Sequence, residues 1–208
     1  MSAVANTNIY YKCGDAFTGL WSKEYKLHLP PLPGTSPPSR PTTVILYQDL
    51  GYSSKDPSLT WGQSSRAPVF TAEAVGAEVA SGSVDAVFHG GDISYANGNI
   101  AVWDFFMDMI SPVTSGVLYL TSVGNHESDY PGATYWSNID SGGECGVISN
   151  ALLSMPEPAS TNNPWWGYSV GLIHFVGMST EHDFTTNSPQ NLWLDQELSR
   201  INRTLTPW

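Results

Sequence analysis

The pattern of apolar and polar positions changes character twice along the chain. Asn8 to Cys13 and Tyr25 to Leu29 read as short extended segments rich in Tyr and Trp, separated by Gly14-Asp15 and Gly19, which predicts one hairpin. Two strands alone are marginal in water, so this piece is expected to be the end of a larger β domain or to pack on the remainder of the chain. A proline-dense run from Pro30 to Pro41 comes next and favours an extended, semi-rigid linker. From Thr42 onward, apolar β-branched runs alternate with helical periods, the signature of βαβ units around a largely buried sheet.

In that second part, Thr43 to Tyr47, Val84 to Phe88 and Val117 to Ser122 are predicted strands. Thr71 to Ala80 is a predicted helix with Ala72, Val75 and Val79 on one face. Val102, Phe105, Phe106, Met109 and Ile110 recur at helical spacing and predict an amphipathic helix ending near Pro112. The Gly-, Asn- and Pro-rich excursion from Gly124 to Pro164 is too long for a passive connection. Tyr168 to Val170 and Leu172 to Met178 predict a hairpin about Gly171, and Leu194, Leu198 and Ile201 mark a last helix. The expected organisation is a β segment over 1–29, a linker over 30–41, and an α/β domain over 42–208.

Composition narrows the function. Across 208 residues the net charge is −11, with 8 Lys plus Arg, too few cations to build the basic face that a polyanion requires. Nucleic acid is therefore not an expected partner. Only 13% of residues are charged, about half the usual share, while 8 Trp, 10 Tyr and 7 Phe can fill a core. No apolar stretch is long enough to cross a bilayer, so no membrane span is expected. Met1 to Asn8 is too polar for the apolar part of a signal peptide, so no export signal is expected in this chain. Cys13 and Cys145 allow one disulfide or two free thiols, and Asn202-Arg203-Thr204 is the one glycosylation sequon.

The chemistry gathers where the strands end. Asp49-Leu50-Gly51, Gly91-Asp92-Ile93-Ser94-Tyr95 and Gly124-Asn125-His126-Glu127 each follow a predicted apolar strand. Parallel strands joined by crossovers present their carboxyl ends on one edge, so the three clusters are expected to converge. Two Asp, a Tyr phenol and an Asn amide are hard oxygen donors suited to Fe(III), Mn or Mg. Asp92, on the middle strand, is placed to bridge two metals, with Asp49 and Tyr95 on one and Asn125 on the other. Such a pair activates water and clamps the oxygens of an in-line phosphoryl displacement. His126 is then placed to protonate the leaving alkoxide or steady the transition-state charge. Gly-Asp and Gly-Asn are ordinary strand-exit pairs taken singly; three in order favour the catalytic reading.

These residues resemble the purple acid phosphatases, within the calcineurin-like metallophosphoesterases. That family's pattern runs DxG, GDxxY, GNH(D/E), VxxH, GHxH, and the chain carries the first three as Asp49-Leu50-Gly51, Gly91 to Tyr95 and Gly124 to Glu127. Tyr95 discriminates, because most of the wider superfamily lacks it and has DxH where this chain has Asp49-Leu50-Gly51. Val87 to Gly98, Asp140 to Val147, Thr180-Glu181-His182-Asp183 and Tyr10 to Gly14 are similar to the large plant-type branch, with its phosphodiesterase and nucleotide pyrophosphatase-like members.

The resemblance implies a metallophosphoesterase-type β sandwich flanked by helices, preceded by the end of a fibronectin-like domain. It implies acid hydrolysis of phosphate monoesters with Fe(III) plus a divalent metal, Zn, Mn or Fe. Asp49, Asp92, Tyr95 and Asn125 would be the metal residues, and Asn125, His126 and His182 would meet substrate. A secreted or vacuolar/lysosomal location follows from the same resemblance, which also allows a homodimer.

Two departures shape the expectations. The VxxH and GHxH motifs do not occur before the chain ends at Thr206-Pro207-Trp208, and Gln48 stands where the family usually has Gly. Ligand counting then predicts that residues 1–208 alone bind less than one tight divalent ion, hydrolyse little and tend to aggregate. A version extended through both histidine motifs is expected to be active. Among the other histidines, His28 is expected at the surface, His89 and His174 in the core or sheet, and His182 at the mouth of the site. Asp104 and Asp108 are expected to be solvated, and Trp165-Trp166 to pack. Nucleotide pyrophosphatase or phosphodiesterase activity on the same site, and a metal-poor binding glycoprotein, are the competing functions.

Overall fold

The computed structural model describes residues 7–37, 39–53, 66–128, 141–160 and 162–208. Asp140 and much of the excursion before it lie outside the described residues. The N-terminal segment pairs β1 (Asn8–Tyr11) with β4 (Tyr25–His28) antiparallel, and β2 (Gly14–Asp15) with β3 (Leu20–Trp21) between them. Tyr11 and Tyr25 stack at 5.4 Å across the outer pair. This piece docks on the α/β part of the chain: the His28 N–H donates to Gly116 O at 2.8 Å, and the Tyr11 hydroxyl to Ser115 O at 3.2 Å. Cys13 and Cys145 are both free thiols.

The centre is a parallel sheet of β5 (Val44–Tyr47), β6 (Ala86–His89) and β7 (Leu118–Thr121), in that order. The crossovers are α1 (Ala67–Ser81) and α2 (Ile100–Thr114). Strand alternation sorts the two faces. Val87 points into a cluster with Val75, Val79 and Val113 of the helices, whereas Ala86, Phe88 and Leu120 meet Trp166 and Val170 on the other side. Those last two belong to β8 (Trp166–Val170), which forms an antiparallel hairpin with β9 (Ile173–Gly177). The layers are therefore helices, parallel sheet and hairpin, the α/β arrangement expected from the sequence. Short helices α3 (Asn125–Ser128) and α4 (Val147–Leu152) and the final α5 (Pro189–Arg200) complete the described elements.

Helix details differ from the pattern. Helix α1 begins at Ala67 rather than Thr71, because Pro68 fits the first turn, where its missing N–H is not needed. Helix α2 continues through Pro112 to Thr114, since a proline so near the end removes little of the ladder. Its buried stripe is Trp103, Phe106, Ile110 and Val113, whereas Phe105 is exposed and stacks on Tyr52 at 5.6 Å. The observed stripe is rotated from the predicted one toward Trp103, whose indole reaches the buried carboxylate of Glu144. Asp104 and Asp108 are exposed, while Trp165 and Trp166 are buried. No helix among the described residues is long and apolar enough to cross a membrane.

Candidate metal and phosphate site

Beyond the last ladder residues, the strands continue to align as they become loops. Asp49 N–H donates to Gly91 O at 3.2 Å, Gly51 N–H to Ile93 O at 3.0 Å, and Gly91 N–H to Ser122 O at 3.1 Å. The three clusters are thereby fixed side by side on the carboxyl edge of the sheet. Among the described non-glycine residues, six have positive φ, and four of them stand here: Asp49, Asp92, Tyr95 and Asn97. Each such residue costs roughly 1–3 kcal/mol, and their clustering makes this edge the candidate for function.

Their side chains meet. The Tyr95 hydroxyl donates to Asp49 Oδ1 at 2.9 Å or to Asp92 Oδ2 at 3.1 Å, so two carboxylates and a phenol converge on one point. Burial, followed by the bond to Asp49 and the charges of Asp92 and Asp49, pushes the Tyr95 phenol well above its ordinary range. The other Asp92 oxygen accepts the His126 N–H at 3.2 Å, which ties the middle loop to the loop that carries Asn125. The His126 ring lies against Tyr95 with centroids 4.3 Å apart, and its Nδ1 is 2.8 Å from Asn97 Oδ1. If that nitrogen carries the proton, Asn97 fixes the tautomer and leaves Nε2 as the other polar edge.

Glycine makes the approach possible. A Cβ on Gly124 would collide with Asp92 Oδ1 and with the Asp92 backbone nitrogen, and Gly91, at φ 62, would place one 2.9 Å from the nitrogen of Gly124. Gly124→Ala is therefore expected to push Asp92 off its bonds to Tyr95 and His126. If the edge serves the hydrolysis that the motifs lead one to expect, that activity in a version extended through both histidine motifs should fall at least about 100-fold, while circular dichroism shows the fold retained.

Two buried glutamates underlie the cluster. Glu127 accepts the Ile93 N–H at 2.8 Å and the Gly124 N–H at 3.0 Å; burial pushes its carboxyl up to about 7 against the pull of those donors. Glu144 accepts from the Trp103 indole at 3.0 Å and from the Gly98 N–H at 3.3 Å. Sequence reasoning missed Asn97, Glu127 and Glu144 as site supports. Asn97 and Glu127 carried a signal, since Glu127 closes the Gly124-Asn125-His126-Glu127 cluster and Asn97 stands two residues after Tyr95.

The remaining sequence candidates fall in other places. His182 follows β9 on a loop leaving the same end of the molecule, 2.9 Å from Ser179 Oγ and edge-on to Trp165. Burial lowers its pKa. His89 is buried, 2.7 Å from the Tyr119 hydroxyl, with burial pushing it down to about 3. His174 sits between Ser169 at 2.8 Å and Glu197 at 2.9 Å. His28 differs from expectation: it is partly buried and reaches Asp85 at 3.3 Å. Gln48 is exposed and packs on Gly90.

As a donor set, Asp49, Asp92 and Tyr95 offer three hard oxygens at one point, which suits a hard trivalent ion. Asp92 and Asn125 offer a second ion one carboxylate and one amide. Among the described residues no group of three or more His, Cys, Asp and Glu is arranged to hold a metal ion, so a metal on this edge would need the phenol and the amide as well.

No protein-family model matches the chain. The structure of purple acid phosphatase PPD1 from yellow lupin (Lupinus luteus) seeds matches with a TM-score of 0.88 and 33% identity, covering 98% of this chain and 35% of that one. The chain belongs to the purple acid phosphatase family. It is 31% identical over 207 residues to "Probable inactive purple acid phosphatase 1" of Arabidopsis thaliana, covering 98% of this chain and 33% of that protein. It is 30% identical over 190 residues to a "Nucleotide pyrophosphatase/phosphodiesterase" of Hordeum vulgare, covering 91% and 50%. The chain thus spans about a third to a half of the length of these curated relatives.

Proposed function

We propose that this chain carries the iron-side half of a binuclear phosphatase site that hydrolyses phosphate monoesters at acidic pH. The observation that carries the reading is the convergence of Asp49 and Asp92 on the Tyr95 hydroxyl. In this reading Asp49, Asp92 and Tyr95 hold Fe(III), while Asp92 and Asn125 face a divalent Zn, Mn or Fe. When bound, the two ions supply Lewis-acid polarisation of the phosphoryl group and activation of the attacking water. His126, with Nδ1–H on Asn97 and its ring packed on Tyr95, would act in its doubly protonated form, giving the Nε2 proton to the leaving oxygen and ending as the neutral Nδ1–H ring. Asn125 and His126 orient the phosphoryl oxygens, and His182 belongs to the rim. A phosphate ester is the partner of the site. A secreted or vacuolar setting and glycosylation at exposed Asn202 rest on the family resemblance and the sequon.

Similarity to the barley relative favours a second reading, cleavage of phosphodiesters or pyrophosphates on the same site. Hydrolysis of an aryl phosphate compared with a bis-aryl phosphate, alongside metal content, separates the two. Absence of both activities and of bound metal, in a version extended through the histidine motifs, overturns both readings.

Tyr95→Phe gives a direct optical check. A phenolate on Fe(III) absorbs visible light by charge transfer, so the iron-loaded protein is expected to be coloured and Tyr95→Phe to be colourless. One hydroxyl is lost and the ring against His126 remains, so the fold is expected to persist. A retained band in the variant would move the iron to other ligands.

A further inference from the structure

We propose that Glu127 is a positioning residue that sets the spacing of Asp92 and Asn125, and through it the affinity for a divalent cation between them. This rests on the reading of the two loops as a metal cradle. The hydrogen-bonded ladder between β6 and β7 runs out at Gly91 N–H to Ser122 O. Past that point, Glu127 joins the loops with one carboxylate, one oxygen to each. Oε1 takes the N–H of Ile93, the residue after Asp92; Oε2 takes the N–H of Gly124, the residue before Asn125. The two tied amides therefore flank the two candidate ligands.

The clamp is anchored from behind as well. Glu127 is 1% exposed, and its own carbonyl accepts the Gly146 N–H at 2.6 Å, at the start of α4. A buried carboxylate is costly unless it is fully used, and both of its oxygens are used here to join two loops whose other tie past Ser122 is the His126 N–H on Asp92. A glutamine has the same shape but a single acceptor oxygen. Its amide nitrogen would face one of the two N–H donors, so one of the two ties would be lost and the spacing left to the His126 N–H on Asp92. Residues that support metal ligands from outside typically change metal affinity 10–100-fold when altered.

The test titrates Mn(II), followed by electron paramagnetic resonance of the free ion, into a version extended through both histidine motifs and into its Glu127→Gln, Asp92→Asn and Glu144→Gln variants. Glu144 is the comparator because it braces Trp103 and Gly98 without touching either flanking amide. Glu127→Gln is expected to weaken Mn(II) binding about 10–100-fold, while Glu144→Gln lowers the thermal midpoint with a smaller change in affinity. Wild-type affinity in Glu127→Gln, with or without a lowered midpoint, overturns the proposal while Asp92→Asn still loses the ion. Unchanged binding in Asp92→Asn, or none in the unaltered extended version, overturns the cradle reading itself. Should Glu127→Gln fail to fold, Glu127→Asp, too short to reach both amides, is measured in its place and must show the same loss.

Discussion

Asp92→Asn is expected to lower aryl phosphate hydrolysis by about 1000-fold, roughly 4 kcal/mol of transition-state stabilisation, and to strip bound metal. The measurement is kcat/KM with elemental analysis, in a version extended through the two histidine motifs. Asp92 sits on the central strand's loop, and its two oxygens do different work. One accepts from the Tyr95 hydroxyl shared with Asp49, and the other accepts the His126 N–H beside Asn125. Asparagine keeps the shape but removes the charge, and turns an N–H2 toward one of these donors. Tyr95 would keep only Asp49 as a charged neighbour, and both halves of the cradle would lose a ligand together. Hydrolysis within tenfold of the unaltered protein would show that Asp92 does not bridge the site.

The largest expected loss of stability comes from the opposite edge of the sheet. Asp85, just before β6, is fully buried and gathers three parts of the chain. Arg40 from the proline-dense segment meets it with two nitrogens at 2.7 and 2.8 Å, the Thr43 N–H donates to it at 2.8 Å, and His28 of β4 reaches it at 3.3 Å. Burial pushes the Asp85 carboxyl up, but the Arg40 bonds, the Thr43 N–H, the Arg40 charge and His28 together outweigh it and hold the pKa below its ordinary value. Asp85→Asn leaves Arg40 facing a neutral group and is expected to cost about 3 kcal/mol, at the low end for breaking a buried pair because Arg40 is partly exposed. Because the folded-state pKa is depressed, the contribution of Asp85 is fully present above the unfolded carboxylate value of about 4 and fades as pH falls through the lower folded value. Denaturant melts at pH 7 and pH 3 should therefore show the difference between wild type and variant shrinking in acid. An equal gap at both pH values would mean that Asp85 acts through packing alone.

The order and direction of the central strands were legible because β-branched runs and helical periods report burial directly. The strand-end clusters were legible as well: Asp49, Asp92, Tyr95 and Asn125 each follow an apolar run. What the pattern did not carry was rotation about a helix axis and contact across distant sequence. Trp103 looked like one aromatic among several, and only the fold shows its indole on Glu144, 41 residues away. His28 read as a surface residue because nothing near it in sequence announces Asp85, 57 positions on. Glu127 was read as the tail of a motif, since a carboxylate that binds two backbone amides leaves no periodicity. The N-terminal hairpin was legible as strands, but its docking on Ser115 and Gly116 required the tertiary structure.

The four left-handed residues and the extended ladder have a consequence for how this family drifts. Those loops take their course from backbone hydrogen bonds and from glycines that admit close approach, and such bonds depend little on which side chain stands at a ligand position. A lineage can therefore exchange Asp49 or Tyr95, whose bonds here run between side chains, with little change to the chain path, whereas Asp92 also holds the His126 N–H. Chemistry and shape are then inherited on separate schedules, and gain or loss of activity within the family can occur by single substitutions that leave the architecture unmarked.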